Sequence, residues 1–495
     1  MLKTNICLFV LLILVLFSFS TQAQEVSRSD ERDYNEYDFL LTELNKIRDN
    51  KGNIKPFFDK LSALEKGETD AINIVHIGDS HIQADYLTGR LRSLFGEQFG
   101  FRGRGLVFPY QLAKTNSPTD LWSESNISWS RKRIIQPRNT LPEGISGLSV
   151  HSTNPAFWLK MQVKSEDYFF DKVTIFSGKG ADYMDFVLFP TAGPRSTTMP
   201  VANKPKNTRQ YHVIQSGETL SSIASTYRVS LASIRKLNNI WDDKIFSGKR
   251  ILIKEGENQT RSGSDSKSDQ GEFHSIPNSY DPYGHFAHTV WLNQPVNAFY
   301  LKGVSNSQTE KRADIFGFML ENTQQAGINY HMIGVNGATF GDYGRSNIFW
   351  DQLAELKPDL VIFSMGTNET LEDRFTKTGF QNDLESAVKK LRESNPKCPI
   401  LLTTPADALK KRKINNPNIL QARNVVLASA SKLGFSTWDL YYIMGGAGSI
   451  KTWYQEGLAQ GDRLHFTRKG YHLQGNLLFD AIIAAYEGYK RVHSR

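Results

Sequence analysis

Cysteine is almost absent from these 495 residues: Cys7 and Cys398 are the only two. Cys7 falls in an amino-terminal segment, residues 1–23, that reads as a removable secretory leader. Lys3 is followed by an apolar run from Ile6 to Phe19 and then by the small-residue pattern Thr21-Gln-Ala23-Gln24. Cleavage near Ala23 would leave Cys398 alone, which excludes an intramolecular disulfide and any zinc site built from cysteines. Long apolar runs are missing as well. The leader's own core is short for a membrane span, and nothing after it approaches the roughly 20 residues required; retention of the leader as an anchor is the alternative. Acidic charge is not in excess either, since 59 Lys and Arg face 51 Asp and Glu for a net charge of +8, one less once Lys3 is removed. That balance suits an anionic partner such as a wall polymer or a membrane surface. The runs Arg131-Lys-Arg133 and Lys410-Lys-Arg-Lys413 are short enough to be solvated surface, and nothing in an exported chain points to nucleic acid.

What is present is enough chain for two or three domains. Helical stripes run through Tyr37–Ile47 and Pro56–Leu64, and residues 37–105 form a first α/β part. Within it, Ile72-Asn-Ile-Val-His-Ile-Gly78-Asp79-Ser80-His81 is an alternating apolar run that stops at a small residue, an acid and a hydroxyl. Leu87, Leu91 and Phe95 then recur at helical spacing, so the local grammar is strand, turn, helix over Ile82–Phe95. Such a junction sets a side chain at the carboxyl end of a sheet beside unpaired N–H groups. Ser80 there can be a nucleophile with part of an oxyanion hole already built, or it can simply cap the helix.

From 106 to 190 the texture turns to short alternating runs broken by Asn, Gly and Pro, and it resumes from 273 to 320. The two halves read as one β-sandwich-like domain with something inserted. Solvated linkers at 191–208 and 255–272 bound the insert. Between them, residues 209–254 read as strand, helix, helix, strand, with Ser221–Ala224 and Leu231–Leu237 as the helices. Ser216-Gly-Glu-Thr-Leu220, the turn Leu237-Asn-Asn239 and the closing Gly248-Lys-Arg-Ile-Leu-Ile253 resemble the LysM module. That resemblance implies binding of N-acetylglucosamine-containing glycans such as peptidoglycan, through Gly217, Glu218, Thr219, Leu220, Asn238, Asn239 and Ile240.

After residue 327 the α/β grammar returns and runs to 489. Strands are expected at Ile328–Ile333, Leu360–Met365, Ile400–Thr404 and Ser436–Tyr441, with helices at Ser346–Leu356, Phe380–Glu393, Ile419–Leu433 and Tyr471–Tyr489. This alternation implies a doubly wound parallel sheet whose ligand site lies off the strands' carboxyl ends. Gly337 in Asn-Gly-Ala-Thr and Asn368 in Gly-Thr-Asn-Glu369 sit at such ends, as does Ser80. In Gly461-Asp462-Arg-Leu-His465 a carboxylate three positions before a histidine can fix the imidazole tautomer. These four blocks in this order resemble the SGNH, or GDSL-like, hydrolases. The resemblance implies a flavodoxin-like three-layer α/β fold, Ser80 as nucleophile, His465 as general base and then acid, Asp462 as its orienter, and an oxyanion hole from the Ser80 and Gly337 N–H groups and the Asn368 amide.

Two departures are His81 where leucine is usual and Glu369 where aspartate is frequent. With a β domain between the first two blocks, the pattern is most similar to the peptidoglycan O-acetylesterase branch, whose inserted domain resembles a carbohydrate-binding module. The expectation is an exported esterase, periplasmic or wall-associated, that removes 6-O-acetyl groups from N-acetylmuramic acid without a metal or organic cofactor. The alternatives are the same chemistry on another acetylated polysaccharide with LysM as a tether, or a non-catalytic envelope protein with a retained hydrolase shell. Tyr343, Arg345 and Trp350 are expected to wall the cleft, and the histidines at 76, 212, 285, 288, 331 and 472 to be structural or superficial.

Overall fold

β-Branched and aliphatic residues dominate Ala71–Gly78, Gly327–Gly334, Leu360–Ser364, Ile400–Thr403 and Ser436–Trp438, and runs of this kind form strands buried on both faces. In the computed structural model they make one parallel sheet. The structure describes residues 32, 34–190, 210–214, 218–227, 229–238, 240, 250–254, 273–278, 287–304 and 311–493. The leader at 1–23, the linkers at 191–208 and 255–272, and His285 lie outside those residues.

Numbered by sequence, the five parallel strands stand in the order 2-1-3-4-5, with Ile47–Arg48 added antiparallel beyond Ser436–Trp438. This is the flavodoxin-like doubly wound order, and its winding reverses between Ala71–Gly78 and Leu360–Ser364. Helices Tyr86–Phe99, Arg468–His493 and Lys55–Glu65 pack together as one layer, and Lys377–Ser394 packs with Pro417–Leu433 and Asn347–Glu355 as another. None of the described helices is long and apolar enough to cross a membrane.

Three expectations need correction. Tyr37–Ile47 is not a helix: only the single turn Thr42–Leu44 forms. Tertiary partners take its polar groups instead, since Leu41 N donates to Ile443 O and the Asn45 amide bridges Leu477 O and Trp438 Nε1. The helix expected over Ile82–Phe95 is two, Ser80–Gln83 and Tyr86–Phe99, broken where Asp85 takes a left-handed conformation, φ 57°. The Asp85 carboxylate is held there by Arg92, Arg104 and Thr88. Burial pushes its pKa up, but the Arg92 and Arg104 guanidiniums outweigh that and hold it below the usual carboxylate range. The strand expected to reach Tyr441 stops at Trp438, where Asp439 accepts from Arg423 and Thr404 and the chain turns into Leu440–Ile443.

The β-rich part is a two-sheet sandwich. One sheet runs His274–Ile276, Asp185–Pro190, Ala298–Val304, Trp158–Val163, Leu121–Ser125, and the other Ala287–Val296, Phe170–Ser177, Ala313–Glu321, Leu148–Ser152, Ser130–Arg133. Gly105–Val107 joins the second against Ala313–Glu321. Alternation is clean in Trp158–Val163, where Leu159, Met161 and Val163 point into a core shared with Phe157, Phe170, Phe299 and Phe318.

The chain divides into two compact units, Met1–Gly193 with Glu272–Arg495 and Pro194–Gly271. The second pairs Gln210–Val213 antiparallel with Arg250–Lys254 and carries helices Leu220–Tyr227 and Leu231–Asn238. Its small core is Ile214, Leu220, Ile223, Ala224, Ile234, Ile240, Ile251 and Ile253.

Glycine is demanded at Gly334, where an added Cβ would lie 2.3 Å from Gln83 N. Gly334→Ala is therefore expected to destabilise the fold by roughly 1–3 kcal/mol. Gly488→Ala, in the last helix with nothing within 4 Å, should instead stabilise by about 0.5–1 kcal/mol. Denaturant midpoints of the two variants check the opposite signs.

Candidate active site

Ser80 opens the short helix Ser80–Gln83 directly after the first parallel strand. The cap of that helix is Asp79, whose Oδ1 accepts from His81 N at 2.9 Å, so Ser80 is not spent on capping. Its Oγ lies 2.9 Å from His465 Nε2, across 385 positions of sequence. His465 Nδ1 lies 2.8 Å from Asp462 Oδ2, and Asp462 Oδ1 accepts the Leu464 and His465 N–H groups at 3.0 Å. Burial pushes Asp462 up, but the hydrogen bonds from His465 and Leu464 prevail and hold it below its ordinary value. A carboxylate fixed in this way keeps the Nδ1 proton on the imidazole and leaves Nε2 to accept the proton of a hydroxyl.

The other two expected residues arrive on loops off neighbouring strands. Gly337 follows Gly327–Gly334 with φ 85° and is exposed. Among the described residues, neither its N–H nor that of Ser80 donates a hydrogen bond. Asn368 stands in the turn Thr367–Leu371 after Leu360–Ser364, and its Nδ2 donates to Asp79 Oδ2 at 3.2 Å and to Ala338 O at 2.9 Å. Asp79 therefore ties the Ser80 turn to the Asn368 turn. It is fully buried, and desolvation pushes its pKa up to about 6 against the pull of the His81 N–H.

Several residues that hold this arrangement carried little or no signal in the sequence. Buried Gln83 accepts Asn336 N at 2.7 Å and donates to Thr115 Oγ1 at 2.7 Å, linking the Ser80 helix to the Gly337 loop and to the sandwich. Glu369 Oε1 accepts Phe340 N at 2.8 Å, so Asn368 and Glu369 clamp the Gly337 loop on both sides, at Ala338 and Phe340. Glu369 stood out only as a departure from aspartate. His81 Nδ1 lies 2.9 Å from Tyr471 OH, and its ring is 5.2 Å from that of His465. The sandwich also reaches the site, for an added Cβ on Gly337 would lie 3.7 Å from Ile135 Cδ1.

The expected cleft wall needs correcting. Tyr343 and Trp350 are buried: Tyr343 OH donates to Gly78 O at 2.8 Å, and Trp350 Nε1 to Tyr343 O at 3.0 Å. They brace the Ser80 strand from behind. Arg345 pairs with Asp342. His76 and His331 are buried, neutral and hydrogen-bonded, His76 to Tyr330 and Ser364 within the sheet and His331 to Leu106 N of the sandwich, desolvation pulling both down to about 3.

In the small unit, Leu220 and Ile240 face the core. The Asn238 amide is used on Ile234 O, Leu252 O and Leu252 N. At these three positions the backbone is what remains for a ligand. Glu218 is hydrogen-bonded to His212, Thr219 is exposed, and Gly217 and Asn239 lie outside the described residues.

A serine, histidine and aspartate hydrogen-bonded in series at the switch point of a doubly wound sheet are the groups that nucleophilic acyl transfer requires. Residues 302–473 match the GDSL-like Lipase/Acylhydrolase family, and residues 212–254 match the LysM domain. The chain thus carries a GDSL-like acylhydrolase domain and a LysM domain. The first match holds Gly337, Asn368, Asp462 and His465; Ser80 lies outside it and is joined to them by the fold.

A solved structure of a peptidoglycan O-acetylesterase is similar over 88% of this chain and 96% of its own, with TM-score 0.59 and 20% identity. That likeness is one of fold, and it takes in the sandwich as well as the α/β part. An acetylxylan esterase from Geobacillus stearothermophilus is 21% identical, covering 32% of this chain and 73% of its own with TM-score 0.25. An autolysin of Enterococcus faecalis (strain ATCC 700802 / V583) is 41% identical over 63 residues, 13% of this chain and 8% of that protein.

Glu369 has a measurable signature. Burial pushes its pKa up to about 8, against the pull of the Phe340 N–H. Between its ordinary value of 4.5 and that point the folded state holds a proton that the unfolded state has lost, so this group makes stability fall as pH rises through the window. Glu369→Gln keeps the acceptor for Phe340 N and removes the titration. It should be more stable than the parent by roughly 1–4 kcal/mol at pH 9 and nearly equal at pH 4.5, as read from denaturation midpoints.

Proposed function

We propose that the protein is an exported serine esterase that removes O-acetyl groups from peptidoglycan, at the 6-hydroxyl of N-acetylmuramic acid. The observation that carries the chemistry is the hydrogen-bonded array Ser80–His465–Asp462 beside two N–H groups without acceptors among the described residues. The choice of polymer is supported by the LysM match, by the whole-chain fold likeness to a peptidoglycan O-acetylesterase, and by the leader pattern at the amino terminus.

In this reading Ser80 Oγ gives its proton to His465 Nε2 and attacks the acetyl carbonyl carbon. The carbonyl oxygen becomes an oxyanion held by the N–H groups of Ser80 and Gly337 and by Asn368 Nδ2. Asn368 Nδ2 donates to Ala338 O; exchange of that neutral acceptor for an oxyanion strengthens the bond as charge develops. Collapse of the intermediate breaks the ester bond, and His465 protonates the departing sugar hydroxyl. Water, deprotonated by the same nitrogen, then attacks acetyl-Ser80; the bond to Ser80 Oγ breaks, His465 returns the proton to that oxygen, and acetate is released. Asp462 stabilises the imidazolium at both stages.

Acetate release from O-acetylated peptidoglycan is the decisive assay. Ser80→Ala should lower kcat by about 10⁴-fold or more without loss of folding, and Asn368→Ala by roughly 10²–10³-fold. Undiminished release by Ser80→Ala would remove the nucleophile assignment. Release from acetylated xylan but none from peptidoglycan would remove the substrate.

A further inference from the structure

The run Lys410-Lys-Arg-Lys413, read in the sequence as ordinary solvated surface, occupies a particular place. It forms the tip of a hairpin in which Leu409–Lys410 pairs with Ile414–Asn415. That hairpin follows the Ile400–Thr403 strand and so rises from the sheet's carboxyl end, the side on which Ser80 lies. Its base is fastened to both neighbours of the site. Leu409 N donates to Arg463 O, within the Asp462–His465 loop. On the other side Lys410 Nζ pairs with Asp373 Oδ1 at 2.8 Å, and Asn416 Nδ2 donates to Thr370 O at 3.1 Å, just beyond the Asn368 turn.

Lys411, Arg412 and Lys413 are exposed, and among the described residues their side chains make no hydrogen bond or ion pair. Asp373, whose carboxylate the charge of Lys411 also reaches, is engaged by Lys410. Ile414, beside them, is 62% exposed.

The backbone adds an independent mark. Lys411 and Arg412 are the two central residues of a turn closed by Lys413 N and Lys410 O, with φ of 53° and 64°. A turn with both central φ values positive is best made by Asn-Gly. Arg463 across the contact is also left-handed, φ 53°, with its guanidinium 3.7 Å above the Tyr454 ring. Of six described non-glycine residues with positive φ, three are therefore cations gathered on this one rim. Strained backbone held in place by its surroundings is typical of ligand clamps.

We propose that the 409–415 hairpin, together with Arg463, is a subsite for a carboxylate of the polymer whose ester is cleaved. It rests on the esterase reading above and adds to it a preference for acidic acetylated glycans, whether the carboxylate belongs to a peptide or lactyl group or to a uronic acid. The cations draw the strand across the cleft, and Ile414 supplies an apolar contact beside them.

The test uses the full-length protein and two variants, Lys411→Asn/Arg412→Gly and Lys413→Glu. For each, kcat/KM on O-acetylated peptidoglycan is divided by kcat/KM on p-nitrophenyl acetate. The ratio should fall about tenfold or more, through KM, and recover in part near 0.5 M salt. The ratio for acetylated xylan, which is neutral, should hold. The Asn-Gly variant should also melt at a higher temperature than the parent, because its turn is relieved; a purely structural hairpin would gain stability with no change in either ratio. A peptidoglycan ratio that holds within about twofold, or an equal fall on xylan, overturns the subsite. If the parent cleaves the small ester but not peptidoglycan, the substrate reading fails instead, and the same ratio on an O-acetylated uronic-acid polymer then decides the rim.

Discussion

The site exists because the sheet changes its direction of winding between Ala71–Gly78 and Leu360–Ser364. On either side of that reversal the connections leave in opposite senses, so no helix covers the carboxyl ends of the two strands and a crevice opens above them. Ser80 lies at the end of one strand and Asn368 at the end of the other. Gly337 enters from the edge strand paired with the first, in register from Gly327 against Ala71 to Gly334 against Gly78. His465 and Asp462 are brought over the crevice by the loop that leads into the last helix.

A crevice fixes where residues can meet, and two buried carboxyls then fix how. Asp79 joins the Ser80 turn to Asn368, and Glu369 joins the Asn368 turn to the loop bearing Gly337. Both are desolvated enough to rise well above ordinary carboxyl values. Placing such groups in a core is unfavourable in itself. The compensation lies in rigidity: three donors carried on three separate loops keep their spacing because each loop is bonded to the next. Gln83 repeats the device with a neutral side chain, reaching Asn336 on one side and Thr115 on the other.

The parts of this arrangement that were legible in the sequence are those encoded locally. The Ser80 strand and turn, the Gly337 and Asn368 blocks and Asp462-x-x-His465 each carry their pattern within a few residues, and the strand alternation placed them at one end of a sheet. The parts that were not legible depend on partners distant in sequence. Leu40, Leu41, Leu44 and Ile47 carry a helical stripe, yet Leu41 and Asn45 bond to residues near 440 and 477 and the stripe is overridden. Asp85 breaks a helix because two arginines surround it, one of them 19 positions away. Tyr343 and Trp350 follow Gly337 closely enough to suggest a cleft wall, but aromatic character does not distinguish a wall from a brace, and both are braces.

The inserted sandwich illustrates how a long detour can be added at little cost and still reach the chemistry. It leaves after Phe99 and returns at Gly327, both at the amino end of the sheet, opposite Ser80. Its two ends are zipped together: Arg102 N donates to Ile328 O, Asn322 N to Arg102 O, and Gly100 packs so closely on Ala326–Gly327 that neither glycine tolerates a Cβ. With the ends closed, the entropy of the detour is borne within the sandwich itself, and loop length costs the hydrolase sheet little. Gly105–Val107 then runs beside the edge strand Gly327–Gly334, which is buried throughout, and Leu106 N donates to His331 Nδ1 at 3.0 Å. Acceptance by that nitrogen requires a neutral ring, which burial enforces. Covering the edge removes a surface that would otherwise invite pairing with another chain. It also carries the sandwich along the strand toward the carboxyl end, where Thr115 meets Gln83 and Ile135 borders Gly337. A domain inserted at the foot of the sheet thereby becomes one wall of the crevice at its top, across from the loop that carries His465.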